Sequence, residues 1–245
     1  MQSVRSKLGL IIPTLNEAAN IPTLLNRLQS ALENVKVEYE LIIVDDDSQD
    51  ATSEIVHDYA SHDPRIRLLV RKGQRGLAGA VIYGWRHTDA TLLGVIDADL
   101  QHPPEILPAL LDAIFEGHDI AIASRYTGSN RDSVSEWSKI RYFISRCGTW
   151  MTTPLQRKGV RVKDPMSGYF VVRRECVEGL DLHPQGFKIL LDVLVKGRLR
   201  NAAEIPFRFA TRHAGKSKAD LKVALDYFSL LGKLSRHAIF RSGAR

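Results

Sequence analysis

Asp97, Asp99 and Gln101 alternate along Val95-Ile96-Asp97-Ala98-Asp99-Leu100-Gln101-His102-Pro103-Pro104-Glu105. Two carboxylates and an amide oxygen so spaced suit a hard divalent cation, Mg2+ or Mn2+, which takes oxygen ligands and keeps several waters. Such a cation would grip a diphosphate. The same residues also fit a plainer role as solvated turn carboxylates ahead of a helix beginning near Pro103 and Pro104, since Asp favours helix caps and proline the first helical position. A second acidic group, Asp45-Asp46-Asp47-Ser48-Gln49-Asp50, gathers carboxylates that repel one another unless cations, hydrogen bonds or water relieve them. That group points to a ligand, against the alternative of an acidic loop with Asp50 as a helix N-cap. Arg71-Lys72-Gly73-Gln74-Arg75-Gly76 is basic and glycine-rich, yet it has neither the Gly-x-Gly-x-x-Gly nor the P-loop spacing. Near the other end, Thr211-Arg212-His213-Ala214-Gly215-Lys216-Ser217-Lys218 is a basic loop suited to clamping phosphate.

The elements that must position these residues follow from hydrophobic periodicity. Leu8 to Ile12, Glu40 to Val44, Ile66 to Val70, Leu92 to Ile96 and Asp119 to Ala123 are short apolar runs that predict buried strands. Between them lie helical patterns, among them the stripe Ile21, Leu24, Leu25, Leu28, Ala31 and Leu32, the run Ala51 to Ala60, and Pro104 to Phe115. Strands alternating with helices specify an α/β fold, with a parallel sheet covered by helices on both faces and right-handed crossovers. Ligands in such sheets bind outside the carboxyl ends of the strands. Asn16, Glu17, the Asp45 to Asp50 cluster, Arg75 and Asp97 to Gln101 are thereby expected on one rim.

After Arg125 the alternation stops. Trp137, Ile140, Phe143, Ile144, Cys147, Trp150 and Met151 recur at helical spacing within a basic stretch, which fits either a helix lying in a membrane interface or one packed on the sheet. Asp164-Pro165-Met166-Ser167-Gly168-Tyr169 predicts a turn before a strand Phe170 to Arg173, followed by a helix Ile189 to Val195 and a late strand Ala203 to Phe209. Leu221, Leu225, Phe228 and Leu231 stripe a terminal helix ahead of a basic tail.

At 245 residues and 44% hydrophobic content, the chain can bury one substantial core. A formal charge of +6 implies an anionic partner, whether nucleic acid, phospholipid or a phosphorylated substrate. The two cysteines, Cys147 and Cys176, have no paired spacing, so neither a disulfide framework nor a zinc site is expected, and a reducing compartment fits. Pro13 interrupts the first apolar stretch, so no signal peptide is expected, and no apolar run approaches the ~20 residues needed to cross a bilayer. The expectation is a soluble or peripheral protein.

Taken together, Pro13-Thr14-Leu15-Asn16-Glu17, Val44 to Asp50, Asp97 to Glu105, Ser124-Arg125-Tyr126 and Arg212 to Lys218 resemble family 2 glycosyltransferases, most nearly the dolichol- or polyprenol-phosphate mannose synthases. The resemblance runs from about Leu8 to Lys218. It implies a GT-A fold, Rossmann-like with a mixed, mainly parallel sheet, over residues 1–218, leaving 219–245 as a C-terminal amphipathic helix and basic tail. It also implies an inverting transfer of a hexose from a nucleotide-sugar, GDP-mannose, to a polyprenyl phosphate, with UDP-glucose or UDP-GlcNAc as alternative donors. Carried over by position, Pro13, Glu17, Asp45, Asp46 and Asp97 would meet the nucleotide, and Asp97, Asp99 and Gln101 would hold Mg2+ or Mn2+. Asp99, Arg125, Arg212 and Lys218 would serve the reaction. A lipid acceptor further implies peripheral contact with the cytoplasmic face of a membrane, or a small membrane partner subunit, and no nucleic acid. The chain departs from its relatives at Leu15, where many carry Tyr, at Asp47, where Gly or Asn is common, and at Asp192, where Glu is frequent. A phosphohydrolase with a nucleophilic Asp-x-Asp is disfavoured, because that chemistry places its motif after the first strand. A non-catalytic nucleotide-sugar-binding module is disfavoured by the metal triad and basic loop.

Overall fold

The computed structural model describes residues 6–127, 152–156, 160–182 and 189–208. In chain order the elements are β1 (Lys7–Thr14), α1 (Ile21–Leu32), β2 (Glu38–Asp45), α2 (Thr52–His62), β3 (Ile66–Val70), α3 (Leu77–Arg86), β4 (Leu92–Val95), α4 (Leu107–Phe115), β5 (Ile120–Ser124), β6 (Phe170–Arg173), α5 (Ile189–Lys196) and β7 (Ala202–Pro206). Cys147, Arg212, Lys218, the basic segment from Trp137 to Met151, the terminal helix and the boundary expected at residue 218 lie outside the described residues.

The strands form one sheet in the order β3-β2-β1-β4-β6-β5-β7. Both faces are covered, because neighbouring residues on each strand serve opposite layers. Leu8, Leu10 and Ile12 join Leu41, Ile43 and the apolar stripes of α1, α2 and α4, while Ile11, Ile42 and Val44 meet α3 and α5 on the other side. Close approach of α3 to β1 requires Gly84, where a Cβ would stand 2.8 Å from the Ile11 side chain.

The fifth strand is not the parallel neighbour of the fourth, as simple alternation implies. β6 lies between them, antiparallel to both, with Val95 opposite Phe170 and Ile120 opposite Val172. The cause lies at the rim. β5 ends there at Ser124, and Asp164 is held there by Arg125, so the following strand starts at the rim and runs away from it. The insertion places the Asp164 to Tyr169 turn beside the ends of the parallel strands.

The helix expected from Pro104 begins instead as a 3-10 turn, Pro104–Ile106, with the α-helix starting at Leu107. Pro108 has no N–H to give the Pro104 carbonyl. The buried hydroxyl of Tyr169 donates to that carbonyl at 3.2 Å, tying the 3-10 turn to the start of β6. Burial, with the charge of Glu105 adding to it, holds that phenol well above its usual pKa, so it remains a donor. The late strand stops at Pro206, short of the expected Phe209.

Leu10 is fully buried at the centre of the sheet. Leu10→Ala is expected to lower stability by about 2–5 kcal/mol through lost burial and a residual cavity, measured by urea unfolding.

Candidate functional site

The three non-glycine residues with left-handed backbone among those described are Asn16 (φ 56), Asp47 (φ 59) and Leu100 (φ 59), one in each loop following β1, β2 and β4. Such conformations cost energy and persist only where the surroundings enforce them. Here the enforcement is visible. The Asn16 N–H donates to Ser48 Oγ at 2.8 Å, and Asn16 Oδ1 accepts from the Gln49 N–H at 2.8 Å. Glu17 N–H donates to Thr52 Oγ1 at 2.9 Å, and Asp46 N–H donates to the Thr14 carbonyl at 3.0 Å. The first two loops are thus one stitched unit.

The acidic cluster is relieved largely from within. Asp45 is fully buried and does not line the cleft; it accepts from Thr14 Oγ1, from the Ser48 N–H and hydroxyl, and from Ser53 Oγ. With four donors around its carboxylate, Asp45, expected beside the nucleotide, shapes the loop that follows β2. Asp46 accepts Arg71 Nε at 2.7 Å, Arg71 Nη2 at 2.9 Å and the Gly76 N–H at 2.8 Å. Both members of this ion pair are buried, with side chains 5% and 6% exposed. It fastens the loop after β3 and the start of α3 to the end of β2. Asp50 does not cap α2 directly, since Ala51 precedes the first helical residue; its Oδ1 takes the Thr52 N–H at 3.1 Å and its Oδ2 the Ala18 N–H at 3.2 Å. Burial would raise its pKa, and these bonds, led by the Thr52 hydroxyl, outweigh burial and lower it.

Around this frame lies a cleft of about 320 Å³ whose walls include Pro13, Glu17, Asp46, Gly76, Asp97 and Asp99. Residues from four separate strand ends therefore converge, as expected for Pro13, Glu17, Asp46, Asp97 and Asp99. Leu100 is left-handed between Asp99 and Gln101, and the Gln101 N–H donates to Asp99 Oδ1 at 3.1 Å. Glu17 Oε2 accepts from Asn20 Nδ2 at 2.7 Å, so a side chain that is 1% exposed holds this carboxylate at the cleft wall.

Arg125 is fastened to the rim by Asp164. Its Nε and Nη2 donate to Asp164 at 2.8 and 2.7 Å, its backbone N–H adds a third bond at 3.0 Å, and Asp164 is fully buried. Burial disfavours the guanidinium charge, but the hydrogen bonds and charge of Asp164, then Tyr126 and Asp97, raise its pKa on balance. His102 sits between Tyr169 and Phe207, with ring centroids 6.0 and 5.2 Å away, and its Nδ1 lies 3.8 Å from Asp97 Oδ2. Sequence reasoning marked Asp164 to Tyr169 only as a turn. Its place beside Asp97 depends on the antiparallel insertion of β6, which no local pattern announces. Cys176 is buried, and burial, with nearby Asp119 next, pushes its thiol up to about 11, consistent with an inert core cysteine.

The donor set fits a hard cation in part. Asp97 and Asp99 offer carboxylate oxygens at the mouth of a polar cleft, and the backbone of Gly168 lies so close to the Asp97 carboxylate that a Cβ there would overlap it. Among the described residues, no three or more His, Cys, Asp or Glu side chains come together so that they could hold a metal ion by themselves. Two carboxylates leave most of an octahedral shell to water and to ligand oxygens, which is the pattern for Mg2+ on a phosphate substrate rather than for a closed protein cage.

A doubly covered, mainly parallel sheet with paired carboxylates at its switch point defines a fold of the GT-A type. A model of the domain described as glycosyl transferase family 2 matches residues 10–180. The chain is 40% identical over 231 residues to the dolichol-phosphate mannosyltransferase of Pyrococcus furiosus, covering 94% of this chain and 64% of that protein, so it spans slightly less than two thirds of that relative. It is 37% identical over 244 residues to the dolichol-phosphate mannosyltransferase of Mycosarcoma maydis, covering 96% and 80%. The crystal structure of glucosyl-3-phosphoglycerate synthase from Mycobacterium tuberculosis with Mn2+, UDP-glucose and phosphoglyceric acid has the same fold, with a TM-score of 0.62 at 20% identity over 94% of this chain and 81% of that one. The chain belongs to glycosyltransferase family 2.

The Asp46–Arg71 pair yields a direct test of the frame. Arg71→Met leaves a buried carboxylate without its partner and is expected to cost roughly 3–5 kcal/mol by chemical denaturation. The double variant Asp46→Asn/Arg71→Met should recover part of that loss; no recovery would mean that the arginine stabilises the loop by packing alone.

Proposed function

We propose that the chain is an inverting glycosyltransferase that moves mannose from GDP-mannose to a polyprenyl or dolichyl phosphate. The observation that carries this reading is the convergence of Pro13, Glu17, Asp97 and Asp99 on one cleft at the strand ends. The relatives' names add the acceptor class and the sugar.

In this reading Asp97 and Asp99 hold Mg2+ or Mn2+, which supplies positive charge against the departing nucleoside diphosphate. Glu17, steadied by Asn20, accepts from the N1–H and amino group of guanine, with Pro13 packed beside the base. Asp45 and Asp46 act by fixing the loops that present these groups. An acceptor phosphate is already ionised near neutral pH, so the chain needs no dedicated base to create the nucleophile. Its task is electrostatic: Arg212 and Lys218 hold the second anion, which would otherwise be repelled by the first. Arg125 contributes by fixing the Asp164 turn at the rim. Gln101 would complete the oxygen set, its backbone N–H being already bonded to the Asp99 carboxylate.

A polyprenyl chain does not dissolve in water, so the acceptor site must meet the headgroup layer. No described helix is long and apolar enough to cross a membrane. The reading therefore assigns membrane contact to the basic segment from Trp137 to Met151, on the cytoplasmic face, with a small membrane subunit as the other means of attachment.

Asp99→Ala is expected to lower transfer to polyprenyl phosphate by roughly a hundredfold or more, with stability nearly unchanged, because a cleft-wall carboxylate adds little to the core. A chelator should abolish wild-type turnover. Undiminished turnover in either case removes the metal from the account. Binding calorimetry with GDP and UDP tests the base: tighter UDP binding would transfer the assignment to a UDP-sugar donor. Flotation with anionic vesicles containing polyprenyl phosphate tests the membrane contact, and failure to float at low salt would shift attachment to a partner subunit.

A further inference from the structure

Gly168 stands out among the glycines as the one whose constraint comes from the cleft itself. A Cβ built at Gly168 would overlap Asp97 Oδ2 and stand 2.5 Å from its Cγ and 2.8 Å from its Oδ1. All three nearest atoms belong to the Asp97 carboxyl group. Gly168 is absent from the glycines with positive φ, so its backbone would accept an alanine. What excludes a side chain is therefore the carboxylate, not the local conformation.

The backbone that presses on Asp97 is itself fixed at several points. Asp164 is gripped by Arg125, and its N–H and that of Lys163 donate to Glu204 at 3.1 and 2.9 Å. The Tyr169 N–H donates to Ser167 Oγ at 3.2 Å, the Ala123 N–H donates to the Tyr169 carbonyl at 3.0 Å, and the Tyr169 hydroxyl reaches the Pro104 carbonyl. Three elements thus brace one short turn: the end of β5, the edge strand β7, and the 3-10 turn that follows the Asp97 loop. A braced turn cannot yield to an added methyl group, whereas a short carboxylate side chain can swing away.

We infer that the Asp164 to Tyr169 turn is a shelf that sets the orientation of the Asp97 carboxylate, with Gly168 as its positioning residue. The inference rests on the proposed role of Asp97 in holding a divalent cation. Gly168 touches neither substrate nor metal in this account; it acts through Asp97. Arg125 acts one step further back, as the brace of the shelf. Outer partners of a metal-holding side chain commonly alter affinity by about 10–100-fold when changed, which sets the scale of the effect.

The test is a double-variant cycle on positions 168 and 97 with two readouts, Mn2+ affinity from the electron paramagnetic resonance of free Mn2+ with GDP or UDP in excess, and thermal unfolding without metal. Gly168→Ala is expected to weaken Mn2+ binding about tenfold or more and to lower Tm by roughly 2–4 °C. In the Asp97→Ala background, where the overlapping atoms are gone, the same substitution should change neither. If Gly168→Ala fails to fold, restoration of folding by Asp97→Ala supports the contact, and failure of both variants to fold overturns it. Wild-type Mn2+ binding that Gly168→Ala leaves unchanged overturns this inference alone. Failure of the wild-type protein to bind Mn2+ with either nucleotide overturns the proposed metal role, and this inference with it.

Discussion

Negative charge gathered at the ends of parallel strands must be compensated before the chain can hold it there. Asp45, Asp46, Asp97 and Asp164 all reach one rim, and three of them are at most 4% exposed. The chain answers these charges unequally. Asp45 receives hydroxyl and amide donors, Asp46 receives Arg71, and Asp164 receives Arg125. These compensated groups form the frame, in which loops with left-handed residues are held still. Asp97 and Asp99 stand in the cleft wall, where in the proposed function a cation and a diphosphate would complete the balance. The strain at Asn16, Asp47 and Leu100 is understandable on these terms, since each lies in a loop that carries or adjoins a cleft residue.

The antiparallel strand β6 converts this frame into a site. A purely parallel sheet would leave the Asp97 loop bounded on one side by β1 alone. With β6 inserted, Tyr169 and Gly168 close that side, and Phe207 at the end of β7 packs on His102 from beyond. Support reaches Asp97 from elements far apart in sequence, which is how a short carboxylate gains a fixed orientation at an open rim.

Much of this was legible beforehand because it depends on local rules. Apolar runs ending in polar turns marked β1, β2 and β4, and the alternation of strand and helix placed Glu17, Asp46, Asp97 and Asp99 on a common rim. The family resemblance added the GT-A fold and the donor chemistry. What the sequence hid was pairing at a distance. Repulsion among Asp45, Asp46, Asp47 and Asp50 points to a ligand, but the sequence does not show that Arg71, Thr52, Ser48 and Ser53 already relieve much of it, because their proximity depends on loop geometry. The resemblance alone gave Arg125 a role with phosphate, and its partner Asp164, 39 positions away, is invisible to any local pattern. Gly168 looked like one more turn glycine, since only the register of β6 against β4 brings it onto Asp97.

The central claim is that this cleft directs an anionic lipid acceptor against the anomeric carbon of a sugar nucleotide by direct displacement. It is tested most directly by the anomeric configuration of the lipid-linked product, read by nuclear magnetic resonance after incubation with α-linked GDP-mannose, polyprenyl phosphate and Mg2+. The account predicts a β-mannosyl phosphate. An α-linked product, or the absence of any mannosyl lipid, would contradict it.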